Sequence, residues 1–181
     1  MGRDGVARHV VLAGLMGSGK TTVGRELAAL VGRPLIDNDD QIRAATGASV
    51  ADISVTAGVA EMRRLESEAL AGALASPVPA VITAAAGVVL DARDRLRLRD
   101  SFVVWLRAEP ATLAGRTRRD PTRPLLGSDP LTVLRAMERQ RRSLYADVAD
   151  LVIDVDELSP AQVAAAIVGE IRSLSGGRPG R

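Results

Sequence analysis

No cysteine occurs in the 181 residues, which excludes a disulfide frame, a thiolate metal site and a cysteine nucleophile. A single histidine, His9, lies near the N-terminus, so any Ser-His-Asp triad would have to use it. Only three residues are aromatic: Phe102, Trp105 and Tyr145. Proteins that stack the bases of single strands or RNA need more rings than that. No uncharged apolar run approaches the roughly 18 residues of a membrane-spanning helix. Residues 1–9 carry three charges and precede no signal-peptide pattern, so the expectation is a soluble cytoplasmic chain without a nucleic-acid or membrane partner. Lysine is also scarce: of 24 basic side chains only Lys20 is a lysine.

What is present is 46% hydrophobic residues, enough for a core built from Ala, Val, Leu and Ile. The length predicts one domain over 1–174, with a lid over about 116–130 and a disordered tail over 175–181. The net charge of +2 is weak evidence for an anionic partner. Short apolar runs at Val6–Leu12, Pro34–Asp37, Pro79–Thr83, Ser101–Leu106 and Leu151–Val155 read as buried strands. Between them, helical spacing covers Lys20–Val31, Gln41–Thr46, Glu61–Ala75, Asp91–Arg99, Pro110–Thr117, Leu131–Ala149 and Pro160–Leu174, and Ser49 can cap a further short helix. Alternating strands and helices predict an α/β fold with a parallel sheet covered on both faces.

The chemistry is concentrated in Gly14-Leu15-Met16-Gly17-Ser18-Gly19-Lys20-Thr21, which fits G-x-x-x-x-G-K-[ST] at every fixed position. Glycines let the backbone curl so that N–H groups of Gly17, Ser18, Gly19, Lys20, Thr21 and Thr22 point at a phosphate chain. The helix that follows adds its positive end. Lys20 can reach the β- and γ-phosphates of ATP, and the Thr21 hydroxyl can ligate Mg²⁺. A compact ammonium fits such a cleft where a planar guanidinium does not, which gives the lone lysine its meaning.

Asp37 and Asp39 stand at the end of the second predicted strand, where open α/β sheets bind ligands. Alternate positions on an extended segment point the same way, so both carboxylates can face the cleft. Asp37 would then hold a Mg²⁺-bound water and Asp39 would orient a substrate hydroxyl. The alternative is that Asp37–Asp40 only cap a helix from Gln41. Arg116, Arg118, Arg119 and Arg123 bracket a proline-rich loop that either closes over ATP or is simply solvated. Arg135, Arg139 and Arg142 share a helical stripe, with Arg141 off it, and a surface Glu–Arg pair is the plain reading of Arg63 or Arg64.

Taken together, these residues resemble the shikimate kinase family of P-loop kinases. The resemblance covers about residues 8–174. It rests on Gly14–Thr22, Leu35-Ile36-Asp37-Asn38-Asp39, Gln41-Ile42, Gly47-Ala48-Ser49-Val50, Met62-Arg63-Arg64-Leu65-Glu66, Thr122-Arg123-Pro124-Leu125-Leu126 and Arg141 ahead of Tyr145. It implies a three-layer fold with a five-stranded parallel sheet of order 2-3-1-4-5 and a lid. It also implies a monomeric kinase that uses ATP and Mg²⁺ on a small carboxylated polyol, with shikimate as the leading candidate. Asp39 would bind substrate hydroxyls, Arg63 and Arg141 would clamp the carboxylate, Arg123 would be the lid cation and Arg116 would pack on adenine. Three differences from the family fall on the substrate side. Ala84-Ala85-Ala86 stands where the family has glycines whose backbone touches the substrate, which puts Ala85 in the pocket wall and strains the loop wherever positive φ is needed. Val59 replaces a glutamate, and Met62 replaces a phenylalanine that would help shape the pocket. A kinase for another hydroxy acid and a non-catalytic nucleotide-binding relative therefore remain as alternatives. A GTPase switch is disfavoured, because no N-K-x-D motif occurs.

Overall fold

The computed structural model describes residues 8–117 and 129–176. Arg118, Arg119 and the expected lid cation Arg123 lie outside the described residues, as does the tail from 177. Five strands form one parallel sheet in the order β2-β3-β1-β4-β5. They are β1 (Val10–Ala13), β2 (Leu35–Asp37), β3 (Val81–Thr83), β4 (Phe102–Arg107) and β5 (Leu151–Asp154). The order is the one the resemblance implies. Every residue of the central strand β1 is buried, so its sequence VVLA is continuously apolar instead of alternating. β5 lies at an edge and alternates, with Val152 and Asp154 turned to solvent.

The helices are α1 (Lys20–Val31), α2 (Asn38–Thr46), α3 (Val50–Thr56), α4 (Gly58–Leu74), α5 (Ala92–Arg97), α6 (Pro110–Thr117), α7 (Pro130–Val148) and α8 (Pro160–Gly176). α1 and α8 pack on each other and α6 packs on α7, so the sheet is covered as expected. The main core joins Val10–Ala13, Val81, Ile82 and Val103–Leu106 to Leu27, Leu134, Tyr145 and Ile167. A smaller cluster of Ile42, Ile53 and Met62 holds α2, α3 and α4 together, so Met62 is a packing residue of this corner. α3 starts on a reciprocal cap: Ser49 Oγ accepts from the Asp52 N–H at 3.1 Å, and Asp52 accepts from the Ser49 N–H at 3.2 Å.

Some boundaries differ from the sequence reading. α2 begins at Asn38 instead of Gln41, because the Asp37 side chain caps it. α8 continues through Gly176, past the expected tail boundary. The segment Asp91–Arg99 is more than a charged surface helix. Asp94 is buried in it and accepts from Ser67 Oγ at 2.8 Å and Arg97 Nη1 at 2.6 Å, which docks α5 on α4.

Because all strands run in parallel, their C-terminal ends meet at one edge of the sheet. That edge carries the loop 14–19 after β1, Asp37 at the end of β2, the segment Ala84–Gly87 after β3 and Val155–Asp156 after β5.

Candidate active site

The loop after β1 curls through Gly14, Gly17 and Gly19, all with positive φ. Gly14 also lies so close to β4 that a Cβ would stand 2.6 Å from the Leu106 carbonyl oxygen. α1 leaves the loop with no side-chain cap and no acidic residue in its first turn, so its N–H groups face the loop's concavity. Lys20 Nζ reaches back over the loop to the carbonyls of Gly14 (2.9 Å) and Leu15 (3.1 Å). Ser18 Oγ is buried there and has no protein partner. A loop with convergent donors, an ammonium and an orphaned hydroxyl fits a polyphosphate.

Asp37 is buried at the junction of loop and sheet. Its Oδ2 accepts from Thr21 Oγ1 at 2.8 Å and Thr83 Oγ1 at 2.6 Å. Its Oδ1 accepts from the backbone of Asp39 (3.0 Å) and Asp40 (3.4 Å). Asp37 is therefore a helix cap and a partner of the Thr21 hydroxyl at once. This corrects the extended reading of Asp37–Asp39. Asp39 stands in the first turn of α2, and the two carboxylates do not alternate along a strand. Asp37 faces Thr21, whereas Asp39 is exposed and acts electrostatically on Glu66. Thr21 and Asp37 fit the Mg²⁺ that a P-loop usually takes, as a hydroxyl backed by a carboxylate.

On the opposite side, α4 and α7 bring a charged cluster to the segment after β3. Arg63 Nη1 pairs with Glu66 Oε2 at 2.5 Å. Glu66 is buried, and burial pushes its carboxyl above the usual range. Arg63 opposes the rise, Asp39 adds to it and Arg141 opposes it. Arg141 is 4% exposed, and its Nη1 donates to the Ala86 carbonyl at 3.0 Å while its Nε has no protein partner. Burial lowers the Arg141 pKa, with Tyr145 opposing and Arg63 adding to the fall. The two guanidiniums thus act on each other and on one buried carboxylate, which is paired with Arg63. Arg64 pairs with Glu61 and Glu68 in solvent, as the plain surface-pair reading has it, whereas the partner of Arg63 is the buried Glu66.

The segment Ala84–Gly87 itself is unstrained, since no described residue other than glycine has positive φ. The condition for strain at Ala84-Ala85-Ala86, a positive φ, is not met there. The crowded position of the segment is Gly87, where a Cβ would overlap the Arg63 guanidinium and stand 2.8 Å from Glu66 Oε2.

The family model for shikimate kinase matches residues 16–172. The chain belongs to the shikimate kinase family. Its relatives include the shikimate kinase of Symbiobacterium thermophilum, 45% identical over 168 residues that cover 91% of this chain and 96% of the relative. The Thermobifida fusca shikimate kinase is 40% identical over 89% of this chain and 93% of the relative. A shikimate kinase from Acinetobacter baumannii solved in complex with shikimate superposes with a TM-score of 0.88 at 32% identity, covering 94% of this chain and 96% of that one. A Sinorhizobium meliloti gluconokinase, at 21% identity and a TM-score of 0.67, shares the fold.

For a shikimate kinase family member, the structure brings together Lys20, Thr21 and Asp37 on one side, and Arg63, Glu66, Arg141 and the Ala86 carbonyl on the other, with Ala85 buried one residue before that carbonyl. Arg116 Nη2 donates to the Val155 (2.8 Å) and Asp156 (3.3 Å) carbonyls, tying α6 to the loop after β5. Sequence reasoning missed Glu66, Thr83 and Gly87. Glu66 had a signal: with Met62 and Leu70 it forms an i, i+4, i+8 stripe on α4, and a carboxylate on an apolar stripe is out of place. No described helix is long and apolar enough to cross a membrane.

Proposed function

We propose that this chain is an ATP-dependent kinase that moves the γ-phosphoryl group to a hydroxyl of shikimate. The observation that supports this most is the pair Arg63 and Arg141, held near each other beside Ala86–Gly87, with the buried Glu66 carboxylate paired to Arg63. A carboxylate seated on both guanidiniums relieves their repulsion and accepts bidentate bonds.

In this reading Gly17, Ser18, Gly19, Lys20, Thr21 and Thr22 bind the ATP phosphates, Arg116 packs on adenine and Arg123 is the lid cation. Thr21 and Asp37 hold Mg²⁺, which when bound neutralises charge on the β- and γ-phosphates. Arg63, Arg141 and the Ala85 backbone seat the substrate, and Asp39 accepts the proton of the attacking hydroxyl. The new bond joins that oxygen to phosphorus while the bond to the bridging oxygen of ADP breaks, and Lys20 stabilises the charge left on the phosphates. All of these groups belong to one chain, so a monomer suffices, working in the cytoplasm where ATP is supplied.

The test is ADP release with shikimate, and with gluconate and other hydroxy acids as alternatives. We expect turnover with shikimate and a loss of about 10²–10³-fold or more in kcat for Lys20→Ala. Faster turnover of another hydroxy acid would reassign the substrate. ATP binding without turnover of any acceptor would favour the non-catalytic relative.

A further inference from the structure

We propose that Tyr145 is a positioning residue for the substrate carboxylate: through the Ala86 carbonyl it fixes the segment on which both Arg141 and Arg63 rest. The inference depends on the reading above, in which these arginines hold that carboxylate.

Tyr145 is the only tyrosine of the chain and is 1% exposed. Its ring stacks on Trp105 of β4, with centroids 5.5 Å apart and planes 18° from parallel. The sheet therefore sets where the hydroxyl points. The hydroxyl donates to the Ala86 carbonyl at 2.8 Å, and Arg141, one turn earlier on α7, donates to the same oxygen at 3.0 Å. A carbonyl has two lone pairs, so these two donors use its full capacity. Arg141 is left with Nη1 anchored and Nε without a protein partner, a fork with one tine fixed.

The next peptide is Gly87, and the Arg63 guanidinium fills the space a side chain would need there. A tilt of the Ala86–Gly87 peptide therefore moves the anchor of one arginine and the seat of the other. Buried as it is, the phenol stays protonated well above its ordinary titration range, with Arg141 opposing the shift. It is thus a permanent donor. A tyrosine that merely completes the core would affect melting temperature without separating one substrate from the other.

Tyr145→Phe keeps the ring and its stack and removes only the donor. We expect the KM for shikimate to rise about three- to tenfold, the equivalent of one hydrogen bond. The KM for ATP and kcat should stay within about twofold. Arg141→Lys is measured beside it. An unchanged shikimate KM in Tyr145→Phe, with a raised one in Arg141→Lys, overturns the proposal and leaves the site reading standing. An unchanged KM in both variants overturns the site reading and this proposal with it. Equal losses for both substrates in Tyr145→Phe overturn it in favour of core packing. If Tyr145→Phe does not fold, 3-fluorotyrosine in the otherwise native chain labels this ring alone. Its ¹⁹F resonance should shift on saturation with shikimate, and a resonance that does not move overturns the proposal.

Discussion

Gly87→Ala isolates the contribution of one arginine without touching it. Gly87 has φ −95° and ψ −12°, a conformation that alanine adopts freely, so the substitution adds no backbone strain. The added methyl would overlap the Arg63 guanidinium and stand 2.8 Å from Glu66 Oε2, which must give by a few tenths of an ångström. That group is the end of a flexible side chain with 30% exposure, and it can swing out to solvent. The fold therefore survives, but the cluster changes. Glu66 loses the partner that most opposes the rise in its pKa and takes up a proton more readily. With Arg63 seating the substrate carboxylate as proposed, the change removes one charge-assisted fork, worth about 1.5–3 kcal/mol, or roughly 10- to 150-fold in affinity. We expect kcat/KM for shikimate to fall by that factor, with the KM for ATP unchanged and the melting temperature within a few degrees of wild type. Steady-state kinetics with each substrate varied, together with a thermal melt, measure all three. Arg63→Ala should lose a similar amount, and the double variant little more, because both changes remove the same contact. A Gly87→Ala enzyme with wild-type shikimate KM, or a double variant whose losses add in full, would refute the reasoning.

Three further outcomes are expected. Arg64→Ala should leave shikimate kinetics unchanged while Arg63→Ala raises KM, since Arg64 pairs only with solvent-facing Glu61 and Glu68 among the described contacts; equal effects would contradict the site. Glu66 has a raised folded-state pKa, so the folded chain holds its proton more tightly than the unfolded one. Stability should then decline as pH rises from about 4.5 through the shifted value, and melts across pH should lose that slope in Glu66→Gln; superimposable curves would exclude the effect. Thr83→Val removes one of the two hydroxyls on Asp37 Oδ2 and should raise the Mg²⁺ concentration for half-maximal activity a few-fold, with Thr83→Ser restoring it; a Mg²⁺ titration that does not move would assign Thr83 to packing alone.

The phosphate loop was fully legible because its chemistry is local: glycines, one lysine and one threonine in fixed order. The strand order is not local, and it came from the family resemblance, not from the strands' own composition. The acidic cluster was half read. Its residues were found, but Asp37 turned out to be a cap that starts α2 at Asn38, and a single capping bond changes where Asp39 points. The substrate side was hardest, because its logic lies between elements. The spacing of Arg63 and Glu66 can be read on one helix, but only the fold reveals that Gly87 makes room for them. The alanines looked like a defect, yet their backbone angles suit any L-residue. Arg141 fell off the exposed stripe of Arg135, Arg139 and Arg142 in the sequence, and it is the buried arginine of that group.

The four hydrogen bonds gathered by Asp37 make the first turn of α2 a ruler. One carboxylate fixes the start of the helix and touches the threonine of the phosphate loop. Asp39 sits two residues along that turn, a rise of about 3 Å. The offset between the phosphate-loop threonine and the Asp39 carboxylate is therefore written into a rigid cap.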